Sequence, residues 1–238
     1  MSHIKKYKGE IQRVSPKSKK EYLKEKPKCF IGISLNNPNF LDSKFTGLID
    51  FVANRHNECT FLLGDYIHRL TLQIRDGLSE EDALKIALAM GDKYIQQNEY
   101  ILNEYINNLH VNFIRGSEIH DNEKFKIYFQ KIKSEYDSDV EFRTAVNKFS
   151  RIFISRSSDE EAISDMDVFL SSLYVLEELA ETCYMISLGH NVLLYPGSLA
   201  IFENIADGLF PNLPDEFKQL VNVSIRLKSR KQLELTIS

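Results

Sequence analysis

The sequence has 238 residues, of which 43% are hydrophobic and 27% are charged, and its formal net charge at pH 7 is −4. This composition is ordinary for a globular protein, and the length suffices for one large domain or two small ones with a sizeable core. No apolar run reaches the roughly 20 residues of a membrane-spanning helix, and the basic N-terminus lacks the apolar core of a signal peptide. We therefore expect a cytoplasmic protein without membrane contact.

The charge is distributed unevenly along the chain. Residues 1–28 carry ten Lys or Arg against three Asp or Glu, whereas the remainder carries 20 against 31. Such a basic segment is typical of a solvated tail or of a nucleic-acid contact. We predict a flexible basic arm over residues 1–27, with one short helix at 19–26, followed by a single catalytic domain over residues 28–238.

The first ordered unit is predicted to be a strand, a helix and a second strand. Residues 28–34 contain an apolar run interrupted only by Gly32, and residues 59–64 form a second apolar run. Between them, apolar residues recur at helical spacing from an expected N-cap at Ser43 to His56. Two such strands around a helix predict a parallel sheet that is buried on both faces.

The rest of the chain continues to alternate helices with strands. Helices are predicted at 79–108, 117–136, 140–155, 165–187 and 198–206, and strands at 109–114, 192–195 and 221–227. We expect an α/β fold, a Rossmann-like parallel sheet of about five strands with helices on both faces.

Ser34 follows the first strand directly and precedes the turn residues of Asn36-Asn-Pro-Asn39. The carboxyl end of a buried parallel strand is the edge at which open α/β sheets bind ligands. Gly32 lets a ligand approach the backbone closely because it has no side chain. Ser34 is therefore a candidate nucleophile, although many serines simply end a strand.

Two other polar positions are candidates for chemistry at the same edge. Tyr174 and Glu178 are four residues apart on a mostly apolar helix, so they share one face, while Glu177 and Glu181 are expected to face water. A carboxylate on an apolar face needs a cation, which the amino group of a substrate can supply. Tyr195 ends a strand expected beside the first one, where a phenol can transfer a proton.

Other common sites are not indicated by the sequence. Cys29, Cys59 and Cys183 are scattered and are expected to be reduced core residues. We find no phosphate-binding glycine loop, no metal motif and no Ser-His-Asp arrangement, and we expect neither a metal nor a cofactor. A serine without a base partner needs an acyl donor that is already activated, such as an ester.

Four segments resemble the tRNA-dependent cyclodipeptide synthases. They are Phe30-Ile-Gly-Ile-Ser-Leu-Asn-Asn37 with Phe40, Phe61-Leu-Leu-Gly-Asp65, Tyr174-Val-Leu-Glu-Glu178 and Val192-Leu-Leu-Tyr-Pro196. They occur in the family's order, over about residues 28–230. The resemblance implies the Rossmann-type catalytic domain of class I tyrosyl- and tryptophanyl-tRNA synthetases, and an aminoacyltransferase that makes a cyclic dipeptide from two aminoacyl-tRNAs.

The resemblance also implies roles for individual residues in a ping-pong reaction. Ser34 would form an aminoacyl-enzyme and then a dipeptidyl-enzyme, Glu178 and Tyr174 would hold the α-ammonium group, and Tyr195 would assist proton movement during ring closure. Asn37 would position the first aminoacyl group through its main chain. The first side-chain pocket would be lined by Phe30, Gly32, Leu62 and Leu193.

The chain departs from the family pattern in two places. One branch of the family pairs an Asn at position 37 with Tyr-His and the other has Tyr-Pro, whereas this chain combines Asn37 with Tyr195-Pro196. Some members carry a basic tRNA-binding helix at the place of residues 79–108, whose charged residues in this chain are mostly acidic. Either tRNA binds weakly or it docks elsewhere, in which case replacement contacts are expected from the arm and from Lys124, Lys126, Lys131, Lys133, Arg143 and Arg151. We expect a monomer.

Two other functions fit the same fold class. A nucleotide-activating synthetase would need His-x-Gly-His or Lys-Met-Ser-Lys-Ser, and neither motif is present. A non-catalytic tRNA- or protein-binding module would tolerate replacement of Ser34, because only shape and charge would matter.

Overall fold

The computed structural model describes residues 7–103, 105, 109–155 and 163–229. Six strands are described: β1 (Tyr7–Ser15), β2 (Cys29–Ile33), β3 (Glu58–Leu63), β4 (His110–Arg115), β5 (Val192–Pro196) and β6 (Val221–Ser229). Eight α-helices are described: α1 (Asp42–Ala53), α2 (His68–Asp76), α3 (Glu80–Asn103), α4 (Gly116–Ile119), α5 (Glu123–Ser138), α6 (Val140–Ile154), α7 (Asp165–Ser187) and α8 (Ala200–Ala206). None of the described helices is long and apolar enough to cross a membrane.

The six strands form one sheet in the order β1-β6-β5-β2-β3-β4. All neighbouring pairs are parallel except β1 and β6, which are antiparallel. The chain leaves β2 toward β3 on one side and returns to β5 on the other, so the strand order reverses between β2 and β5. Open α/β sheets bind ligands in the crevice at such a reversal. The predicted parallel Rossmann-like sheet is confirmed.

Alternation along β2 separates two cores, one on each face of the sheet. Cys29, Ile31 and Ile33 are buried on the face covered by α1 and α3, whereas Phe30 is buried on the face covered by α5, α6, α7 and α8. Because side chains alternate along a strand, Gly32 lies on the same face as Phe30. The helices on both faces were predicted, and α7 was predicted with the bounds that it has.

The flexible arm predicted over residues 1–27 is wrong for the described part of that segment. Residues 7–15 form β1, which pairs with β6, and short 3₁₀ helices at Lys17–Lys19 and Glu21–Glu25 replace the predicted helix. Arg13 of β1 forms ion pairs of 2.9 Å with Glu203 and Asp207. Residues 1–6 lie outside the described part of the chain. The strand was missed because lysines and a glycine interrupt its apolar alternation.

Smaller differences affect the first helix. Ser43 does not cap α1, which begins one residue earlier at Asp42 and has Leu41 at the N-cap position. The three cysteines are free and buried, as predicted.

Gly47 of α1 provides a test of the edge strand. A Cβ at this position would lie 2.8 Å from the Tyr7 main-chain oxygen of β1. Alanine normally favours a helix over glycine by about 1 kcal/mol, but overpacking costs roughly 1–3 kcal/mol. We predict that Gly47→Ala lowers the melting temperature, measured by circular dichroism. An increase in melting temperature would contradict the packing of β1 on α1.

Candidate active site

Ser34 lies at the carboxyl end of β2, at the crevice between β2 and β5. The chain turns directly after it: Asn36 has a left-handed backbone (φ 64°), and the Asn37 N–H donates to the Ser34 carbonyl at 3.2 Å. Asparagine tolerates this conformation better than most residues. The turn directs the chain away from the sheet and leaves Ser34 lining a cavity.

The loop after β2 and the end of β5 are joined by three polar side chains. Asn37 caps the short 3₁₀ helix that follows it, because its Oδ1 accepts from the Asn39 N–H at 3.0 Å. Its Nδ2 donates to the Tyr195 hydroxyl at 3.1 Å. Asn39 in turn donates to the Pro196 carbonyl at 3.0 Å. These bonds orient the phenol of Tyr195 toward the turn that follows Ser34.

Helix α7 brings Tyr174 and Glu178 to the same cavity. The helix starts with a capping box between Ser164 and Asp167, and its apolar side chains are buried against the sheet and neighbouring helices. The Glu178 carboxylate lies over Gly32, since a Cβ at position 32 would be 3.9 Å from Glu178 Oε1. The structure therefore brings together Ser34, Tyr174, Glu178 and Tyr195, all of which were singled out from the sequence.

The expectation that Glu177 and Glu181 face water is wrong. They are only 5% and 1% exposed. Glu177 accepts two hydrogen bonds, of 2.8 and 2.7 Å, from the buried Arg69 guanidinium, which also stacks on the Tyr66 ring at 4.1 Å. Burial raises the pKa of Glu177, and Arg69 opposes that effect. The charge of Arg69 is thus matched chiefly by Glu177, with the exposed Glu80 carboxylate 3.6 Å from its Nε.

Glu178 and Glu181 have no such cation among the described residues. Burial raises the pKa of Glu178 to about 7. Burial, together with the neighbouring acidic side chains, also raises the pKa of Glu181. Burial lowers the pKa of His120, whose Nε2 is 3.3 Å from Glu181 Oε1, to about 3, so this imidazole is neutral near pH 7.

Tyr174 is neutral at ordinary pH. Burial raises the pKa of its phenol well above the usual value, and the charge of Glu178 acts in the same direction. A hydrogen-bonding interaction with the Ser34 side chain acts in the opposite direction. The site therefore combines a serine hydroxyl, two phenols and a carboxyl group that can gain or lose a proton near neutral pH.

Two connected spaces meet at these four residues. The inner pocket is narrow, with a volume of about 10 Å³, and contains the four positions predicted for the first side-chain pocket, Phe30, Gly32, Leu62 and Leu193. Its other lining residues include Ile67, Glu181 and Thr182. The sequence analysis missed these three, although Glu181 could have been found as the residue one helical turn beyond Glu178.

The outer cavity is much larger, with a volume of about 790 Å³. Asn37 and Tyr195 lie on one side, and apolar side chains of α6, including Phe149 and Phe153, lie on another. Volumes of 300–1,000 Å³ are typical of sites for small organic groups. In the described ranges, no cluster of three or more His, Cys, Asp or Glu could hold a metal ion.

The predicted tRNA-contacting residues do not surround this cavity. Lys126 and Lys133 pair with acidic neighbours on α5, and Arg143 donates to the Tyr136 and Asp137 carbonyls. Arg151 is 3.6 Å from Asp165. Lys124 and Lys131 are exposed and lie seven residues apart on one face of α5.

Comparisons with known proteins show which protein family this chain resembles. The family model described as cyclodipeptide synthase matches residues 13–215. A cyclodipeptide synthase structure from Fluoribacter dumoffii superposes with a TM-score of 0.79 at 19% identity, over 94% of this chain and 99% of that one. No curated protein sequence matches the chain.

Two further structures extend this likeness. A cyclodipeptide synthase from Candidatus Glomeribacter gigasporarum bound to Phe-tRNAPhe has a TM-score of 0.64 at 19% identity, over 85% of this chain and 88% of that one. A tyrosyl-tRNA synthetase from Archaeoglobus fulgidus, complexed with L-tyrosine, has a TM-score of 0.52 at 14% identity, over 90% and 60%. The second match agrees with the predicted likeness to class I synthetases.

Glu178 provides a test of the site's electrostatics. A carboxyl group whose pKa is about 7 in the folded state and 4.5 in its usual environment costs stability as pH rises between these values. The cost approaches about 3 kcal/mol above pH 7. We predict that Glu178→Gln raises the melting temperature at pH 8 and changes it little at pH 5. Equal effects at both pH values would contradict the raised pKa.

Proposed function

Because the chain belongs to the cyclodipeptide synthase family, whose members are tRNA-dependent enzymes, we propose that it joins two aminoacyl groups through a covalent intermediate on Ser34. Membership of this family favours an enzyme over the non-catalytic binding module considered above. The observation that carries the proposal is the Glu178 carboxyl group, which is half-buried beside Ser34 with no cation among the described residues.

The first step is transfer of an aminoacyl group from tRNA to Ser34. The serine oxygen attacks the ester carbonyl, the bond to the terminal ribose oxygen breaks, and the serine proton leaves on the tRNA hydroxyl. An ester is an activated acyl donor, so this exchange needs less assistance than amide cleavage. The α-ammonium group supplies the cation that Glu178 lacks, and the neutral phenol of Tyr174 adds a second polar contact.

The second step forms the peptide bond while the product stays on Ser34. For this to happen, the amine of the bound aminoacyl group must attack the ester of the second aminoacyl-tRNA. That amine is nucleophilic only after losing a proton, and a carboxyl group with a pKa of about 7 is suited to accept it. The second tRNA leaves, and a dipeptidyl-enzyme remains.

The last step releases the cyclic product. The free amine of the dipeptide attacks the ester that joins it to Ser34, and the serine hydroxyl is restored. Tyr195 is held by Asn37 at the edge of the cavity and would assist proton movement in this step. Asn37 would also position the first aminoacyl group through its main chain.

The two spaces differ in size, which supports separate roles. The inner pocket, with Phe30, Gly32, Leu62 and Leu193, would hold the first side chain, and the outer cavity would admit the second aminoacyl-tRNA. The aminoacyl groups arrive already activated, so the reaction as proposed involves no cofactor.

The covalent intermediate provides the most specific test of this function. We predict that incubation with aminoacyl-tRNA gives wild-type protein a mass increase of one aminoacyl group, detected by intact-protein mass spectrometry. Ser34→Ala should lose the adduct because it lacks the attacking oxygen. Ser138→Ala is a matched control, since that exposed serine bonds only to main-chain carbonyls of its own helix. Equal adducts on wild type and Ser34→Ala would refute the assignment.

The tRNA-binding face is proposed to include α5 rather than the acidic helix α3. We predict that Lys124→Gln with Lys131→Gln raises the KM for aminoacyl-tRNA several-fold and weakens its dependence on salt, because phosphate contacts release counterions. Lys85→Gln with Lys93→Gln on α3 is the control and should change KM little. The opposite ranking of the two double variants would assign tRNA binding to α3.

A further inference from the structure

The inner pocket is lined by two polar side chains for which the reaction has no use. Glu181 and Thr182 follow Glu178 by three and four residues on α7, so they lie on the same face about one helical turn further along the helix. The walls around them are mostly apolar and include Phe30, Leu62 and Ile67. Polar groups in an otherwise apolar pocket are the usual means of selecting a ligand.

Glu181 keeps unused hydrogen-bonding capacity. One of its oxygens lies 3.3 Å from His120 Nε2, and the other makes no hydrogen bond with any described residue. The Thr182 hydroxyl also has no hydrogen-bond partner in the described ranges, although this residue is only 2% exposed. Neither oxygen belongs to the fully buried atoms that lack a partner, so both are open to the pocket and can bond to a ligand group there.

No cation among the described residues forms an ion pair with Glu181, although the charge of Arg69 acts on it from a distance. His120 is held between the rings of Tyr66 and Phe125, at centroid distances of 3.9 and 4.0 Å, and is neutral near pH 7. The guanidinium of Arg69 is already paired with Glu177. A hydrogen-bond donor entering the pocket would therefore meet a carboxyl group with an open acceptor site.

The backbone at Gly116 makes space for the Glu181 carboxyl group, and the pocket beside it is small. A Cβ at Gly116 would lie 2.7 Å from Glu181 Oε1, so only glycine fits beside it at this position. The pocket volume of about 10 Å³ corresponds to roughly one water-sized group. The pocket thus favours a compact polar end over a long, flexible side chain.

We propose that Glu181 and Thr182 select the first aminoacyl group, and that they favour a side chain that ends in a compact hydrogen-bond donor. The hydroxyl groups of serine and threonine belong to this class. The inference rests on the proposed function, in which the first side chain occupies the inner pocket. Glu178 binds the ammonium group of every aminoacyl group, whereas Glu181 discriminates between their side chains.

The test compares matched pairs of substrates that differ mainly in the donor. Wild-type protein is incubated separately with threonyl- and valyl-tRNA and with seryl- and alanyl-tRNA. The rate of adduct formation on Ser34 is measured by mass spectrometry. Buried polar groups left without a partner discriminate strongly, so we expect the donor to be loaded at least about tenfold faster in one or more pairs.

Variants then assign this preference to Glu181. Glu181→Leu should abolish or reverse the preference while the apolar member of the pair is still loaded, which shows that the variant is folded. Glu81→Leu is the matched control, because that glutamate is exposed on α3. Where Glu181→Leu does not fold, Thr182→Val serves instead and should reduce the same ratio.

The outcomes separate this inference from the proposed function. Adducts on Ser34 that form at least as fast with the apolar member of every pair would overturn the selection by Glu181 and leave the acyl-serine intact. A preference that is unchanged in the Glu181 and Thr182 variants would overturn it as well. The absence of any Ser34 adduct with all four aminoacyl-tRNAs would overturn this inference, whereas an absence with every aminoacyl-tRNA would overturn the proposed function as well.

Discussion

The site depends on the burial of three carboxyl groups on one helix, only one of which is matched by a cation. Glu177 is paired with Arg69 through two hydrogen bonds, and the pair is complete within the protein. Glu178 and Glu181 face the pocket without a cation among the described residues. Helix α7 cannot turn them toward water because most of its side chains from Ser171 onward are buried in the core. The protein therefore maintains a site that favours a cation or a hydrogen-bond donor at the cost of stability.

The sheet determines which residues lie opposite the carboxyl groups of α7. Because strand residues alternate, Phe30 and Gly32 face α7, and the strand ends beside Ser34 on the same edge. The strand order reverses between β2 and β5, which leaves a crevice with Ser34 on one side and Tyr195 on the other. Asn37 bridges the two sides. Ser34, Glu178 and Tyr195 thus come from two strand ends and one helix.

The sequence predicts the order of the elements well because the central strands and α7 have strong apolar patterns. The bounds of α7 and the convergence of Ser34, Tyr174, Glu178 and Tyr195 follow from helical spacing and from the common edge of parallel strands. Strand β1 could not be predicted in this way: its residues form a strand because β6 offers an unpaired edge and α1 covers the glycine at position 9, where a Cβ would meet Phe51. That partnership is not visible in local composition.

The burial of Glu177 and Glu181 also could not be predicted from the neighbouring sequence. Two glutamates beside apolar residues normally face solvent. The residue that changes this outcome for Glu177 is Arg69, which is 108 positions away, and Glu181 is buried beside His120. The sequence likewise shows which lysines and arginines are present, but not which of them already pair with acidic side chains of the protein. Lys126 and Lys133 are already paired on their own helix. Long-range pairing, rather than local pattern, decides these cases.

The central claim, that a carboxyl group beside Ser34 changes its protonation near neutral pH, can be measured directly. Protein with ¹³C-labelled glutamate side chains would be titrated by NMR, with the Glu178 signal assigned from its loss in Glu178→Gln. The account predicts an apparent pKa of about 7 for this carboxyl group. A value near 4.5, as for an exposed glutamate, would show that the group is already solvated or paired and would contradict the account.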